Sequence, residues 1–414
     1  MDRPPHFLRA LASRNYRLYA GGQCVSLLGN WMTATASLWL VYHLSGSAFD
    51  VGLVGFANMI PVFLLAPFAG VWIDRVDGLR VVRLTQVLAM LQSGVLAAFT
   101  LCGHMTVPLL IGLCGVQGLV NALDFPARQT LTYRFADERA PLDNVIALNS
   151  ITFNLARLVG PAIAGFVIAG FGPGACYTVD AVSYLAVLAA LSVVRLPPHV
   201  ARVQLAHPLA DLRDGVRYAW GHPSIRRVLA MVAVISLAGF AHAIVGPIFA
   251  RDVFLGDART LGFLMSATGA GSLLAGVFLS GRRSAGGLGR VVAWGAAIGG
   301  AGLTGLAVRG NLKFALICYA AAGLGTVLLM VAANTLIQTL VDGDKRGRVM
   351  SLFTGAQSLF PIGSLLIGTM AEHLGLHFTM GICGVTCLAA GAIFSRGGEL
   401  KVGSGKEEGG SARG

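Results

Sequence analysis

Twelve long apolar stretches constrain the fold of this chain more than any other feature. A helix needs about 20 mostly apolar residues to cross the hydrocarbon core of a bilayer, and each stretch is near that length and almost free of charge. The chain is only 12% charged, whereas soluble chains carry about 25% charged residues. The pattern predicts an all-α membrane protein and excludes an ordinary soluble enzyme. The predicted spans are residues 18–43, 51–73, 84–103, 105–123 with an extension to 133, 144–171, 173–194, 228–250, 260–281, 291–308, 314–340, 349–371 and 374–395.

The basic residues predict how the chain is oriented. With residue 1 on the cytoplasmic side, 26 of the 31 Lys and Arg residues fall in cytoplasmic segments, and Arg157 alone lies well inside a span. Lys and Arg accumulate on the cytoplasmic side of membranes. We therefore expect a multi-pass protein of the bacterial inner membrane with both termini in the cytoplasm. The net charge of +12 follows from this placement, and no basic stripe with interleaved aromatics indicates nucleic-acid binding.

Spaced glycines indicate an internal repeat. Gly52-Leu53-Val54 recurs as Gly262-Phe263-Leu264, 210 residues later. Duplicated halves are common in transporters. Two further matches have similar offsets: Gly70 to Asp74 recurs as Gly276 to Ser280 at 206, and Gly160, Gly165 and Gly172 recur as Gly363, Gly368 and Gly375 at 203.

The repeat predicts a division of the chain into two six-helix halves. The halves would comprise residues 1–195 and 228–395. Residues 196–227 would form a cytoplasmic linker, in which Pro208 to Trp220 has the pattern of an amphipathic helix lying on the membrane or under the bundle. The tail over residues 396–414 is rich in glycine and polar residues, and we expect it to be disordered.

The segment from Gly70 to Arg83 carries the most specific motif. Gly70 is followed three residues later by Asp74-Arg75 and then by a basic cluster that includes Arg80. It resembles the loop signature between helices 2 and 3 of the major facilitator superfamily. The sequence departs from that signature by one extra residue, Asp77.

The resemblance implies a twelve-helix transporter fold in two pseudosymmetric halves. It also implies that Asp74 latches the halves on the cytoplasmic side, against Arg346 and Arg348 at the start of helix 11. A carboxylate is favoured near the N-terminal end of a helix. An ordinary basic loop is the alternative interpretation.

Helix 5 carries Gly160-Pro161 followed by Gly165. This run resembles the antiporter signature of the same superfamily, which is found mainly in exporters. Proline kinks a helix and small residues allow close packing. A packing kink without a transport role is the alternative.

Three further stretches, Asp124 to Gln129, Leu148 to Pro161 and Arg346 to Ser351, are similar to the branch that includes the enterobactin exporter and related bacterial efflux proteins. With the motif and the repeat, the resemblance covers residues 8 to about 395. It implies alternating access and export of a small organic molecule, such as a drug or a siderophore, usually in exchange for protons. Proton-coupled uptake is the alternative within transport, and a membrane sensor or a membrane enzyme is the alternative outside it.

Charged side chains inside spans are expected to be functional because they are costly in hydrocarbon. Arg157 lies about 20 Å into helix 5, near the midplane. Asp124 and Arg128 are one turn apart on helix 4 and share a face. We predict an Asp124–Arg157 charge pair at the inner end of the cavity, with a purely structural salt bridge as the alternative. An Arg157 that is not neutralised would favour an anionic or zwitterionic substrate.

Asp180 is the remaining acid within a span, roughly 10 Å into helix 6. Removal from water favours the protonated form of a carboxyl group, so Asp180 is a candidate proton carrier, with a hydrogen-bonded structural acid as the alternative. His242 titrates near neutrality in water, and a core histidine is its alternative interpretation. Polar side chains that we expect to line the cavity, or else to hydrogen-bond between helices, are Gln23, Asn30, Asn154, His242, Asn334, Gln338 and Gln357.

No motif indicates nucleotide or metal chemistry. A GxxxxGK[ST] loop and an HExxH motif are absent, and the glycines of Gly300 to Gly305 lie in mid-span, where they serve packing. We expect no enzyme activity, no cofactor and no metal. The expected partners are a small-molecule substrate, protons and the lipid bilayer, with the chain acting as a monomer. The cysteines are predicted to be small core residues, and the sequence leaves open whether Cys102 pairs with Cys176.

Overall fold

A computed structural model describes residues 10–73, 75–135, 141–194, 208–282, 286–342 and 345–396. Over these residues the chain forms thirteen helices and no strand, when two interrupted helices are counted as one each. The first half contains α1 (Arg14–Ser45), α2 (Ala48–Ile73), α3 (Gly78–Leu101), α4 (Val107–Arg134), α5 (Leu142–Phe171) and α6 (Pro173–Val193). After α7 (Pro208–Gly221), the second half contains α8 (Pro223–Val253), α9 (Ala258–Ser280), α10 (Leu288–Ala307), α11 (Leu312–Leu340), α12 (Arg346–Leu374) and α13 (Leu376–Arg396).

The helices agree closely with the predicted spans. By length and composition, eleven helices in the described residues can cross a membrane. Helix α10 is 20 residues long and coincides with the predicted ninth span, but its glycines and Arg290 lower its mean hydropathy. The predicted all-α membrane fold is confirmed, and twelve long helices of the described residues coincide with the twelve predicted spans. The largest differences are at helix starts, because α3 begins at Gly78 and α8 at Pro223 rather than at residues 84 and 228.

Two helices of the second half are interrupted. Helix α8 contains π-helical turns at Ile235–Gly239 and Phe249–Val253, and α12 is broken between Gln357 and Phe360. Turns of the π type occur frequently at functional sites. In the first half, by contrast, α5 continues through Pro161 as one α-helix.

The bundle has two distinct ends. At the end that holds the start of α1, the Tyr16 hydroxyl donates to the Val145 carbonyl at the start of α5, over 3.2 Å. We call this end the N-terminal face. At the other end, the far face, the Tyr42 hydroxyl near the end of α1 donates to Asp252 near the end of α8.

The two halves meet through a pair of equivalent helix contacts. A Cβ atom at Gly262 of α9 would lie 2.7 Å from the Pro161 carbonyl oxygen of α5, and one at Gly52 of α2 would lie 2.6 Å from the Ser364 carbonyl oxygen of α12. Only glycine allows the backbones to approach this closely. Each pair maps onto the other at the predicted offsets, 210 between the glycines and 203 between the carbonyls. The repeat is therefore present in the packing between the halves.

The same repeat appears at two helix junctions. Gly172 joins α5 to α6 with φ of 81°, and Gly375 joins α12 to α13 with φ of 86°. Residues with a side chain rarely adopt this backbone conformation. The junctions thus turn the chain in the same way in both halves.

A cleft opens between the halves toward the N-terminal face. The contact between α5 and α9 reaches from Gly165 to Leu158, where a Cβ atom at Gly269 would touch the Leu158 Cα at 2.7 Å. Seven residues further along the same faces, Ile151 is exposed and a Cβ atom at Gly276 would meet nothing within 4 Å. The halves are thus in contact near the far face and apart near the N-terminal face.

Candidate functional site

The predicted latch at the N-terminal face is only partly described. Asp74 lies outside the described residues, and Gly70 is in the last turn of α2. Arg75, Arg80 and Arg346 are exposed. The latch that involves Asp74 therefore stays a prediction.

Arg348 contacts the linker helix. Its guanidinium donates to Asp214 of α7 over 2.8 Å, and the Tyr218 hydroxyl of α7 donates to Asp342 over 2.9 Å. A Cβ atom at Gly215 would lie 2.9 Å from the Arg348 carbonyl oxygen. Helix α7 is thus held beneath the second half, against the start of α12.

Asp77, the extra residue of the loop motif, has a local role. Its carboxylate accepts from the Leu79 backbone amide over 3.3 Å and so caps the start of α3. It also pairs with Arg134 at the end of α4, over 2.7 Å. The departure from the family signature thus ties α3 to α4.

The predicted Asp124–Arg157 pair is wrong for this structure. Asp124 pairs with Arg128, one turn along α4, and accepts from Thr85 of α3 over 2.6 Å and from Gln86 over 3.2 Å. Both carboxylate oxygens of Asp124 are therefore engaged on the side of α4 that packs on α3. The pair failed as a prediction because depth along a helix does not fix the direction in which a side chain points.

Arg157 lies at the closed end of the cleft, beside Leu158. Its guanidinium carbon is 5.9 Å from the centre of the Trp31 ring of α1, and Trp31 also contacts Phe153 edge to face at 5.9 Å. No carboxylate among the described residues lies within salt-bridge distance of Arg157. Within the described part of the chain, Arg157 therefore has no counter-charge in direct contact.

His242 of α8 faces this charge from the second half. It lies within electrostatic range of Arg157 and beside the backbone of Gly239, and its ring contacts Tyr319 of α11 edge to face at 5.5 Å. His242 is 1% exposed, and neither ring nitrogen makes a hydrogen bond of good geometry within the described residues. The Tyr319 hydroxyl is also buried without a partner there. A buried histidine without a well-formed hydrogen bond thus lies within electrostatic range of Arg157.

Asp180 is buried inside the first half. One carboxylate oxygen accepts from Thr33 of α1 over 2.9 Å and from Ser93 of α3 over 2.8 Å. The other oxygen is buried without a hydrogen-bond partner in the described residues, and it faces Gly29, where a Cβ atom would lie 2.6 Å away. Asp180 thus joins α1, α3 and α6 and keeps one oxygen without a hydrogen-bond donor in the described residues.

The polar residues predicted to line the cavity have different surroundings in the structure. Gln23 is buried, and Asn30 accepts from Tyr184 of α6 over 2.9 Å, so both lie within the first half. In the second half the Gln338 amide donates to Asn334 over 2.6 Å, and Gln338 is exposed. Asn154 donates to Ser150 on its own helix, and Gln357 is exposed and contacts Met330. Asn154 lies four residues before Leu158, on the face of α5 that approaches α9, so it lies beside the cleft. A cavity position for Gln357 stays a prediction.

The Gly160-Pro161-Gly165 motif supports two close contacts. A Cβ atom at Gly160 would lie 2.6 Å from the Trp31 Cβ, and one at Gly165 would lie 2.7 Å from the Ala258 carbonyl oxygen of α9. Gly160 thus packs α5 on its own half and Gly165 packs it on the other. The role of the motif in antiport stays a prediction.

Polar contacts that the sequence did not reveal close the far face. Asp252 accepts from the Tyr42 hydroxyl, and Arg251 donates to the Tyr42 carbonyl oxygen over 3.3 Å. Glu372 of α12 accepts from the Ala48 backbone amide over 2.6 Å, so a carboxylate of one half caps a helix of the other. In the sequence, these contacts are indicated only by the neighbouring pair Arg251-Asp252 at the end of a span. Such a pair is also typical of an ordinary loop.

The described residues offer no group of three or more His, Cys, Asp or Glu side chains arranged for a metal ion. The seven cysteines are free. Cys102 is exposed, whereas Cys176 is buried with its sulfur 3.9 Å from the Ala164 carbonyl oxygen. The pairing left open by the sequence is therefore not formed in this structure.

The comparison with protein families identifies the chain. A family model described as transmembrane secretion effector matches residues 9–408. The chain belongs to this family of the major facilitator superfamily. The superfamily membership predicted from the loop motif is confirmed, and the protein is a multi-pass membrane transporter rather than an enzyme.

Transporters are also found among individual relatives. The staphyloferrin A transporter of Staphylococcus aureus is 25% identical over 373 residues, which cover 89% of this chain and 92% of the relative. The multidrug efflux pump Tap of Mycolicibacterium fortuitum is 28% identical over 375 residues, which cover 88% and 91%.

Solved structures share the fold at low sequence identity. A peptide transporter of the POT family has a TM-score of 0.74 at 13% identity, with 92% of this chain and 93% of that chain covered. The nucleoside transporter NupG has a TM-score of 0.73 at 11% identity, with 92% and 98% covered. A bacterial homologue of the human lysosomal transporter Spinster, solved in an inward-facing and unoccupied conformation, has a TM-score of 0.63 at 15% identity, with 92% and 97% covered.

Proposed function

We propose that this protein exports a small organic molecule from the bacterial cytoplasm, in exchange for protons, by alternating access. The observation that carries the proposal is the cleft, which opens at the N-terminal face, narrows to Arg157 and is closed at the far face by contacts between the halves. Transporters of this kind bind substrate near the midplane between two repeats that rock against each other.

The distribution of basic residues supports the orientation of the cleft. Most Lys and Arg residues belong to segments at the N-terminal face, and cytoplasmic loops are enriched in these residues. With this face in the cytoplasm, the cleft loads substrate from inside the cell. Reorientation then breaks the Tyr42–Asp252 contact and the Glu372 cap, while Asp74 closes the N-terminal face against Arg346 and Arg348.

The relatives support export and the class of substrate. One is named for a siderophore, staphyloferrin A, and another for multidrug efflux. Trp31 and Phe153 give the closed end of the cleft an aromatic wall, which suits organic molecules with apolar parts.

Asp180 is the residue that we propose carries the proton. Its unpartnered oxygen is buried beside Gly29, and a protonated carboxyl group is favoured over a carboxylate in such surroundings. The same helix, α1, holds Thr33 at Asp180, Trp31 at Arg157 and Tyr42 at the far face. Loss or gain of a proton at Asp180 would therefore shift the helix that reaches both the cleft and the far-face contact.

The proposal is tested by reconstituting the purified protein in vesicles that contain a fluorescent pH reporter. A panel of siderophores and lipophilic drugs is added under an imposed pH gradient. Export by antiport predicts a proton flux that depends on substrate and is opposite in direction to it, and Asp180→Asn is expected to lose that flux while the protein stays folded. Proton and substrate moving together would replace antiport with uptake symport. No flux with any compound would favour a sensor.

A further inference from the structure

Arg157, at the closed end of the cleft, has no carboxylate within salt-bridge distance among the residues that the structure describes. The carboxylates of the spans have partners of their own: Asp124 pairs with Arg128, Asp180 accepts from Thr33 and Ser93, and Asp252 accepts from Tyr42. A guanidinium stays protonated in proteins. A guanidinium without a counter-charge is costly at membrane depth. The presence of Arg157 therefore indicates a role other than stabilising the fold.

The internal repeat shows that packing does not require a cation here. The equivalent of Arg157, 203 residues later, is Phe360 of α12. Phe360 contacts Phe240 of α8 edge to face at 5.2 Å, much as Arg157 contacts Trp31 at 5.9 Å. One half thus fills this position with a pair of aromatic rings, and the other places a positive charge over one ring.

One polar group of the second half, His242, lies within electrostatic range of Arg157. The His242 ring is buried and makes no hydrogen bond of good geometry in the described residues. Buried polar groups are normally paired. A ligand that accepted hydrogen bonds from both halves would satisfy His242 together with Arg157.

We propose that Arg157 and His242 form the binding site for a carboxylate group of the transported molecule, and that its apolar part lies on Trp31. The inference rests on the proposed transport function and names its substrate class, organic carboxylates. One permanent cation matches one negative charge, and the planar guanidinium fork fits the two oxygens of a carboxylate. The site is formed by residues of both halves, so its occupation couples substrate binding to the movement of one half against the other.

The test is direct binding to the full-length protein in detergent or nanodiscs, with naphthalene-2-carboxylate and its neutral amide as probes. We expect the wild type to bind the acid at least tenfold more tightly than the amide. Arg157→Gln should remove that preference by weakening binding of the acid. Arg157→Lys should restore part of it, because a point charge replaces the fork.

The matched control is Arg226→Gln. Arg226 lies over the Trp220 ring at the same 5.9 Å, but both residues are exposed and outside the cleft. This variant should bind both probes as the wild type does. Size-exclusion chromatography and thermal unfolding check that each variant is folded.

Equal binding of acid and amide by the wild type, absence of binding by either probe, or an unchanged preference in folded Arg157→Gln would overturn the inference. Failure of the proposed binding site and failure of the proposed export function give different results. A preference that depends on Arg157 in a protein that moves no substrate across vesicles would uphold the site and contradict the exporter, whereas transport of neutral compounds only would do the reverse.

Discussion

The two halves of this transporter share their packing and differ in their chemistry. Gly52 against Ser364 and Gly262 against Pro161 are equivalent contacts in the two repeats. At the position one turn beyond the Pro161 contact, however, the first half has Arg157, whereas the second has Phe360. Duplication thus provides two similar halves that can rock against each other. The charged residues that are present in one half alone provide the groups that bind substrate and couple transport to protons.

The charged interior of the first half gives the largest predicted effect. Asp124→Asn leaves Arg128 without its counter-charge, and breaking one side of a buried pair costs about 3–5 kcal/mol. We expect a large fall in the midpoint of thermal or denaturant unfolding. The control is Asp214→Asn, which breaks the exposed pair with Arg348 and should cost about 0–1 kcal/mol. A stable Asp124→Asn protein would mean that the pair is not structural.

Exchanging the repeat-related residues tests the comparison itself. Phe360→Arg puts a charge where the fold provides an aromatic contact, and we expect a loss of about 2.5–3.5 kcal/mol, the cost of a cation at the centre of a membrane helix. Arg157→Phe copies the second half into the first and should be stable but inactive in transport. The measurements are unfolding midpoints and vesicle transport. Full transport by Arg157→Phe would show that the charge difference has no role.

The equivalent glycines should respond alike. Gly52→Ala and Gly262→Ala each place a Cβ atom less than 3.0 Å from a backbone oxygen of the other half, and overpacking typically costs about 1–3 kcal/mol. We expect both variants to separate the halves at the far face, which raises the accessibility of that face to cysteine reagents. Gly276→Ala, which meets nothing within 4 Å, is the control and should behave like wild type. Opposite responses of the two glycines would break the pseudosymmetry.

The cap between the halves gives the smallest effect. Glu372→Gln keeps an acceptor for the start of α2 but removes the charge that favours a helix N-terminus, worth about 0.3–1 kcal/mol. We expect a shift toward the state open at the far face, with little change in stability, measured by the same accessibility assay. The control is Ser45→Ala, because the Ser45 hydroxyl forms its hydrogen bonds with the neighbouring residues Val41 and Ser47 of the same half. Unchanged accessibility in Glu372→Gln would show that this cap does not help to close the far face.

Much of the fold was predictable because hydrocarbon thickness fixes span length. The spans and the repeat follow from apolar length and glycine spacing, and Asp124–Arg128 follows from the helical period. The surroundings of Asp180 did not follow, since Thr33 and Ser93 lie 147 and 87 residues away in the chain. Helix rotation decides such contacts, and it is set by packing among six helices rather than by local sequence. The same limit explains why Arg157 lies over the Trp31 ring and does not pair with Asp124.

Alternating access is tested most directly by distances between spin labels at the two faces. One pair replaces exposed residues at the far face, Phe171→Cys of α5 with Leu255→Cys before α9; the other spans the cleft, Ile151→Cys of α5 with Gln357→Cys of α12. Without substrate we predict a short far-face distance and a long cleft distance. A transported substrate with a pH gradient should lengthen the first and shorten the second. Distances that stay fixed, or that change in the same direction at both faces, would contradict transport by rocking of the two halves.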